Sequence, residues 1–190
     1  MQLFKSLLWL ALPACLSAQD VQWGCQITAF RPMQDLADPE WMGTSIKPGG
    51  GLHALVDLDG GMALVPRLDY YYSSNATANL KTRADITTLG FDVNIFTGDH
   101  VGEGLYFLVG GAYCRTHFHQ QVSGVQLDEW EQKAYLATGA GWQLDPHISL
   151  ELRYSGTSAM NLETYSTSRK AFVRAFPVTQ MLSLTLMLRL

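Results

Sequence analysis

Residues 181–190 read Met-Leu-Ser-Leu-Thr-Leu-Met-Leu-Arg-Leu, and their alternation is unbroken. Leu182, Leu184, Leu186, Leu188 and Leu190 share one parity, while Met181, Ser183, Thr185, Met187 and Arg189 share the other. Successive side chains of a strand point to opposite faces, so this segment is a strand with one wholly leucine face and one mixed face. A soluble sheet seldom ends on such a ladder. The closing strand of a membrane barrel, by contrast, must show lipid an unbroken apolar face. The expectation is therefore that the rest of the chain builds the barrel this strand closes.

Seven further strands follow from the same periodicity. Residues 21 to 31 alternate Val21, Trp23, Cys25, Ile27 and Ala29 with polar or small residues. Pro32 to Pro48, with three prolines and several acids, reads as a loop. A second strand, Leu52 to Leu58, leads through the hairpin signal Asp59-Gly60-Gly61 into a third, Met62 to Tyr72. Pro66 lies inside that third strand, and because proline has no N–H to give the ladder, a bulge is expected there. Ser73 to Ala84 reads as a polar loop, 85 to 96 as the fourth strand, and Thr97 to Gly104 as a turn. The fifth strand runs from Leu105 to about Phe118, followed by a long polar loop to Gln132. Residues 133 to 144 and Ile148 to Ser155 form the sixth and seventh strands around Asp145-Pro146-His147, and a long loop from Gly156 to Arg174 leads to the eighth. Connections thus alternate long and short, as in a barrel with one outer and one periplasmic rim. Each strand is near the length a tilted strand needs to cross a bilayer. No helix is expected.

The parity opposite the leucines carries charge: Asp57, Arg67, Asp69, Asp92, Glu151, Arg153 and Arg189. The interior of an eight-stranded barrel is just wide enough to be filled by side chains, so these groups are expected to pair with one another. Gly90, Gly110, Gly139, Gly141, Ala112 and Ala137 share that face and leave space for Tyr106 and Tyr135. Trp23, Tyr70, Tyr72, Phe96, Trp142 and Tyr154 fall near strand ends or on the outward parity and suit interfacial belts. Two readings of the interior stay open here: a packed structural network, or a narrow polar pore.

The beginning of the chain reads as an export signal. Lys5, the apolar run Leu7 to Leu16, and Ser17-Ala18 form a secretory signal peptide over 1–18, leaving a single domain over 19–190. The run is too short for a membrane helix, which needs ~20 residues. Leu12-Pro13-Ala14-Cys15 resembles a lipoprotein cleavage box, with proline where a small or β-branched residue is usual. Without the signal, 12 basic residues face 17 acidic ones, which argues against a nucleic-acid partner. Cys25 and Cys114 fall on the first and fifth strands, across the barrel, so no disulfide is expected. His117 and His119 form a His-x-His at the mouth of the fifth strand. With Asp128 or Glu129 they approach a zinc set, but two certain ligands are too few, and solvated rim histidines are expected.

The signal peptide, the eight strands, and the stretches LVPRLDYYYS, GLYFLVGGAYCR and ISLELRYS resemble the small outer-membrane β-barrel domains of Gram-negative bacteria, related to the transmembrane domain of outer-membrane protein A. That resemblance implies an all-β, eight-stranded antiparallel up-and-down barrel in the outer membrane. It further implies a monomer that contacts outer-membrane lipid and engages the barrel-assembly machinery through its C-terminal strand. Such barrels commonly end in phenylalanine, and this one ends in Leu190. Roles in the family include anchoring, adhesion, stress resistance and solute passage, so a structural or surface-interaction role stands beside a porin-like one. Lipid A-modifying enzymes also use such barrels, and the deacylases among them carry a His-x-Ser-Asn motif near the seventh strand. Arg153-Tyr154-Ser155-Gly156 stands there instead, and a serine without a neighbouring base is a poor nucleophile. A soluble lipocalin-like carrier would show the same alternation with inside and outside exchanged. No catalytic group, cofactor or metal is implied.

Overall fold

The computed structural model describes residues 21–38, 40–77, 80–98, 100–122, 124–166, 169–175 and 177–190. The expected signal peptide and Cys15 lie outside them. In chain order the strands are β1 (Val21–Met33), β2 (Lys47–Asp57), β3 (Met62–Ala76), β4 (Leu80–Phe96), β5 (Gly104–Val122), β6 (Val125–Asp145), β7 (Ile148–Ala159), β8 (Leu162–Ser166), β9 (Ala171–Ala175) and β10 (Val178–Arg189). The leucine strand β10 is the seam. It pairs antiparallel with β1 on one side, as in Ile27↔Leu186, and with β7 on the other, as in Leu184↔Leu152. The sheet therefore closes in the order β1-β10-β7-β6-β5-β4-β3-β2, an all-antiparallel barrel of eight strands. β8 and β9 form a separate hairpin between β7 and β10.

Side-chain direction follows the parity. Leu182, Leu184, Leu186 and Leu188 are exposed on the outer wall, and Met181, Ser183, Thr185, Met187 and Arg189 are buried within. A soluble carrier would need the reverse. The turn Asp59-Gly60-Gly61 takes positive φ at all three residues (66°, 63° and 72°), which explains the two glycines, and Asp57 Oδ1 accepts the Asp59 N–H across it at 2.8 Å.

The structure departs from the sequence expectations in five places. The stretches expected as polar loops, Ser73 to Ala84 and the run up to Gln132, are mostly strand: β3 and β4 pair out to Ala76↔Lys81, and β5 and β6 out to Val122↔Val125. Along these extensions the outward face is polar, so the apolar outer face expected of a spanning strand ends while the pairing continues. The expected loop from Pro32 to Pro48 is shorter and ordered, because β1 runs to Met33, a 3₁₀ turn covers Gln34–Ala37, and β2 starts at Lys47. The long loop from Gly156 to Arg174 contains the end of β7, the β8 strand and most of β9. Finally, Pro66 makes no bulge. β3 keeps its register with β4 through Pro66↔Phe91, and the missing N–H is accommodated as a gap in the β2–β3 ladder between His53↔Arg67 and Val56↔Leu64.

Candidate functional site: the barrel interior and outer rim

Strand β3 records the layering of the interior. Its inward side chains are Ala63 and Val65 near the short-turn rim, then Arg67 and Asp69, then Tyr71 toward the other rim. The same order recurs around the barrel. At mid-height, Arg67 donates from Nε to Asp69 Oδ2 (3.0 Å) and from Nη2 to Asp69 Oδ1 (3.0 Å). Its Nη1 donates to Asp92 Oδ2 (2.8 Å) and to Glu151 Oε1 (3.0 Å). Arg153 Nη1 shares the Asp92 oxygen and lies 3.8 Å from Glu151 Oε1. Thr88 Oγ1 donates to Asp69 Oδ2 at 3.1 Å, and the Gln26 amide donates to the other Asp69 oxygen. Two guanidiniums and three carboxylates, none more than 3% exposed, thus form one network across opposite walls.

Two of the seven charged residues stand apart from it. Asp57 is a correction: it has the inward parity but sits exposed at the short-turn rim, where the strand has left the barrel core and its carboxylate serves the Asp59 turn. Arg189 is buried but donates instead to Ser149 Oγ (2.8 Å) and the Pro146 carbonyl (3.4 Å). Small residues make room for the large ones. A Cβ at Gly141 would strike the Tyr106 ring, one at Gly110 the Asp92 carboxylate, and one at Gly139 the backbone of Leu152 and Arg153.

Apolar layers lie on both sides of the charges. Leu55, Ala63, Val65, Phe96, Tyr106, Leu108 and Met187 cluster toward the short-turn rim. Phe96 is therefore interior, 5.0 Å from Tyr106, and not part of an interfacial belt as its sequence position suggested. Toward the other rim, Phe30, Tyr71, Ile86, Phe118 and Met181 from the strands meet Leu36, Trp41 and Met42 from the β1–β2 connection and Met160 and Leu162 from the β7–β8 side. Trp41 packs edge-on against Phe118 at 5.2 Å. Gln120 clasps the two inserted segments: its Nε2 donates to the Glu40 carbonyl (3.1 Å), and its Oε1 accepts from Thr164 Oγ1 and the Tyr165 N–H (3.0 Å each). Sequence reasoning missed this plug. The signal available was the presence of Leu36, Trp41 and Met42 inside an otherwise polar, proline-rich stretch.

On the outer wall three tyrosines mark a boundary. Tyr70 Oη donates to Asp85, Tyr113 Oη to Gln132, and Tyr154 Oη to Gln180 (2.7 Å), each reaching one rung toward the plugged rim. Trp23 and Trp142 are exposed near the opposite rim. Above the tyrosines the outward face turns polar. His117 Nε2 and His119 Nδ1 both lie against Asp128 Oδ1, at 3.0 and 2.9 Å, and hold that carboxyl below the usual carboxylate range, the His119 contact contributing most. Trp130 stacks on His117 with centroids 3.8 Å apart and planes 3° from parallel, and the Arg115 guanidinium lies 4.0 Å from the same indole.

The remaining sequence candidates are placed as follows. Ser155 faces inward and accepts the Tyr135 hydroxyl, while His147 lies in the turn at the far rim. Cys25 is exposed on the outer wall and Cys114 is buried inside, so the thiols occupy opposite sides of the sheet.

No protein-family model and no curated protein matches this chain. Solved structures do. Ail, the attachment invasion locus protein of Yersinia pestis, superposes with a TM-score of 0.58 at 7% identity, covering 89% of this chain and 95% of that one. Neisserial surface protein A gives 0.55 at 9% identity, over 92% and 99%. The N-terminal β-barrel domain of Pseudomonas aeruginosa OprF gives 0.52 at 12%, over 90% and 99%. The fold is that of the small eight-stranded outer-membrane β-barrels.

Proposed function

We propose that this chain is a monomeric outer-membrane protein, exported by a cleaved signal peptide, whose barrel anchors an outer surface for contact and conducts no solute. The observation that carries the reading is the layered interior: a closed ion network between two apolar layers, beneath a plug made of Leu36, Trp41, Met42, Met160 and Leu162. A hydrated ion would have to break charge-assisted hydrogen bonds and then enter an apolar layer, each step costing several kcal/mol. Supporting the location is the exposed leucine and aromatic wall, which in water would be an aggregation surface but meets hydrocarbon without penalty. The C-terminal strand is proposed to present the assembly machinery with its leucine face.

The test is to fold the protein in detergent and in lipid vesicles, and to measure heat-dependent gel mobility together with ion conductance across planar bilayers. A heat-modifiable species without channel events is expected. Sustained channel events would overturn the non-conducting interior, and a folded monomer in plain buffer would overturn the membrane location.

A further inference from the structure

The outward side chains above the tyrosine belt belong to neither the interior nor the lipid wall. On β5, Arg115 follows Tyr113 on the same face, which places it about 7 Å further out along the strand. His117 and His119 continue that line, with Lys81, Arg83 and Asp85 beside them on β4 and Gln126, Asp128, Trp130 and Gln132 on β6. Both carboxylates of this face are already engaged. Asp85 receives the Arg83 guanidinium through Nε (2.8 Å) and Nη2 (3.1 Å), and Asp128 receives the two imidazoles. Arg83 also lies 5.3 Å from the Tyr72 ring.

Arg115 differs from Arg83. Among the described residues its one contact is the Trp130 indole, and no carboxylate or carbonyl takes its N–H groups. Trp130 is in turn held by His117 and by the ladder, so the guanidinium rests on a fixed ring while its donors remain unused. An arginine stacked on an aromatic, with its fork of donors open, matches a phosphate bidentately. The indole faces are taken by His117 and Arg115, and its half-exposed edge is left to meet apolar parts of a ligand bound at the guanidinium.

Resting on the outer-membrane reading above, we propose that Arg115 and Trp130, with His117 behind the indole, dock the phosphorylated saccharide headgroup of an outer-leaflet lipid. Continuity selects this occupant over a soluble polyanion. These side chains have the parity of the lipid-facing wall and begin immediately beyond the belt, so they point sideways into the headgroup layer and not up from the barrel mouth. The charge also fits: the chain as a whole is acidic, whereas Arg115 has no carboxylate partner among the described residues.

The full chain is to be folded into phosphatidylcholine vesicles alone, with a bisphosphorylated diglucosamine glycolipid, or with the same glycolipid after phosphatase treatment. Glycolipid is titrated, and the temperature at which the folded band converts on a gel is followed. A rise in that temperature with the phosphorylated lipid is expected, with a half-maximal concentration at least ten-fold higher for Arg115→Gln or Trp130→Leu. The control Arg174→Gln on β9, away from this face, is expected to match the wild type. Arg115→Lys, which keeps the charge and loses the planar fork, is expected between them. Equal responses to phosphorylated and dephosphorylated lipid, an unaffected Arg115→Gln, or the same shift from free glucosamine phosphate would each overturn the proposal. If no vesicle supports folding, the membrane reading fails instead; if variants and wild type fold alike in phosphatidylcholine, the headgroup response alone decides.

Discussion

Replacing Arg67 by methionine tests the interior directly. The change keeps a long side chain but removes the guanidinium that binds Asp69 through two nitrogens and also reaches Asp92 and Glu151. Arg153 then faces Asp92 and Glu151 alone, and Asp69 retains only Thr88 and Gln26. Breaking a buried ion pair by removing one partner costs about 3–5 kcal/mol, because the other charge stays buried and uncompensated, so the folding equilibrium constant falls roughly a hundred- to several-thousand-fold. The assay is urea unfolding in lipid vesicles followed by tryptophan fluorescence, with the midpoint falling and the slope unchanged. The double variant Arg67→Met/Asp69→Leu removes the most exposed consequence, and its cost should be less than the sum of the single costs by about 0.5–3 kcal/mol. A loss below about 1 kcal/mol for Arg67→Met, or strict additivity in the double variant, would refute the claim that these groups form one desolvated network.

Other substitutions probe the wall, the plug and the packing. Leu184→Arg or Leu186→Arg should cost ~2–4 kcal/mol in the same vesicle assay if that face meets the bilayer midplane, and full retention of membrane folding would contradict the topology. Trp41→Ala should cost about 3–5 kcal/mol by opening a cavity against Phe118, with proteolysis of the β1–β2 connection accelerated in parallel. Gly141→Ala should destabilise by about 1–3 kcal/mol because the new methyl meets both the ring and the hydroxyl of Tyr106, and the added variant Tyr106→Phe should relieve only part of that penalty, since the ring carbons Cζ and Cε1 remain in the way.

The parts legible in the sequence are those where the barrel wall has two chemically different faces. Leu182 to Leu188 alternate against Ser183, Thr185 and Arg189 because one side is an exposed apolar wall and the other fills the lumen, and the Asp59-Gly60-Gly61 and Asp145-Pro146-His147 turns separate such strands by the shortest connections. Beyond the tyrosine belt that pattern ends. From Arg115 to Val122 the outward residues are Arg115, His117, His119 and Gln121, all polar, and the inward ones Thr116, Phe118, Gln120 and Val122, so the contrast reverses while the ladder continues without a break. A search for an apolar outward face therefore reads this strand as ending near Phe118. Gln120 was hidden for another reason, because its importance is purely relational: it joins Glu40 and Tyr165 across 80 and 45 residues of sequence, and Thr164 beside the latter. Asp57 failed for the opposite reason. Its parity is right, but parity states direction and not height, and at the rim an inward direction leads to water. The seven-residue charge set thus resolves by height into a network of five at the middle of the barrel, Arg189 tethered to Ser149 and Pro146 near the rim, and Asp57 in the turn. Only the first group is sealed by apolar layers on both sides, which is why its disruption, and not that of Asp57, should be felt in the stability of the whole barrel.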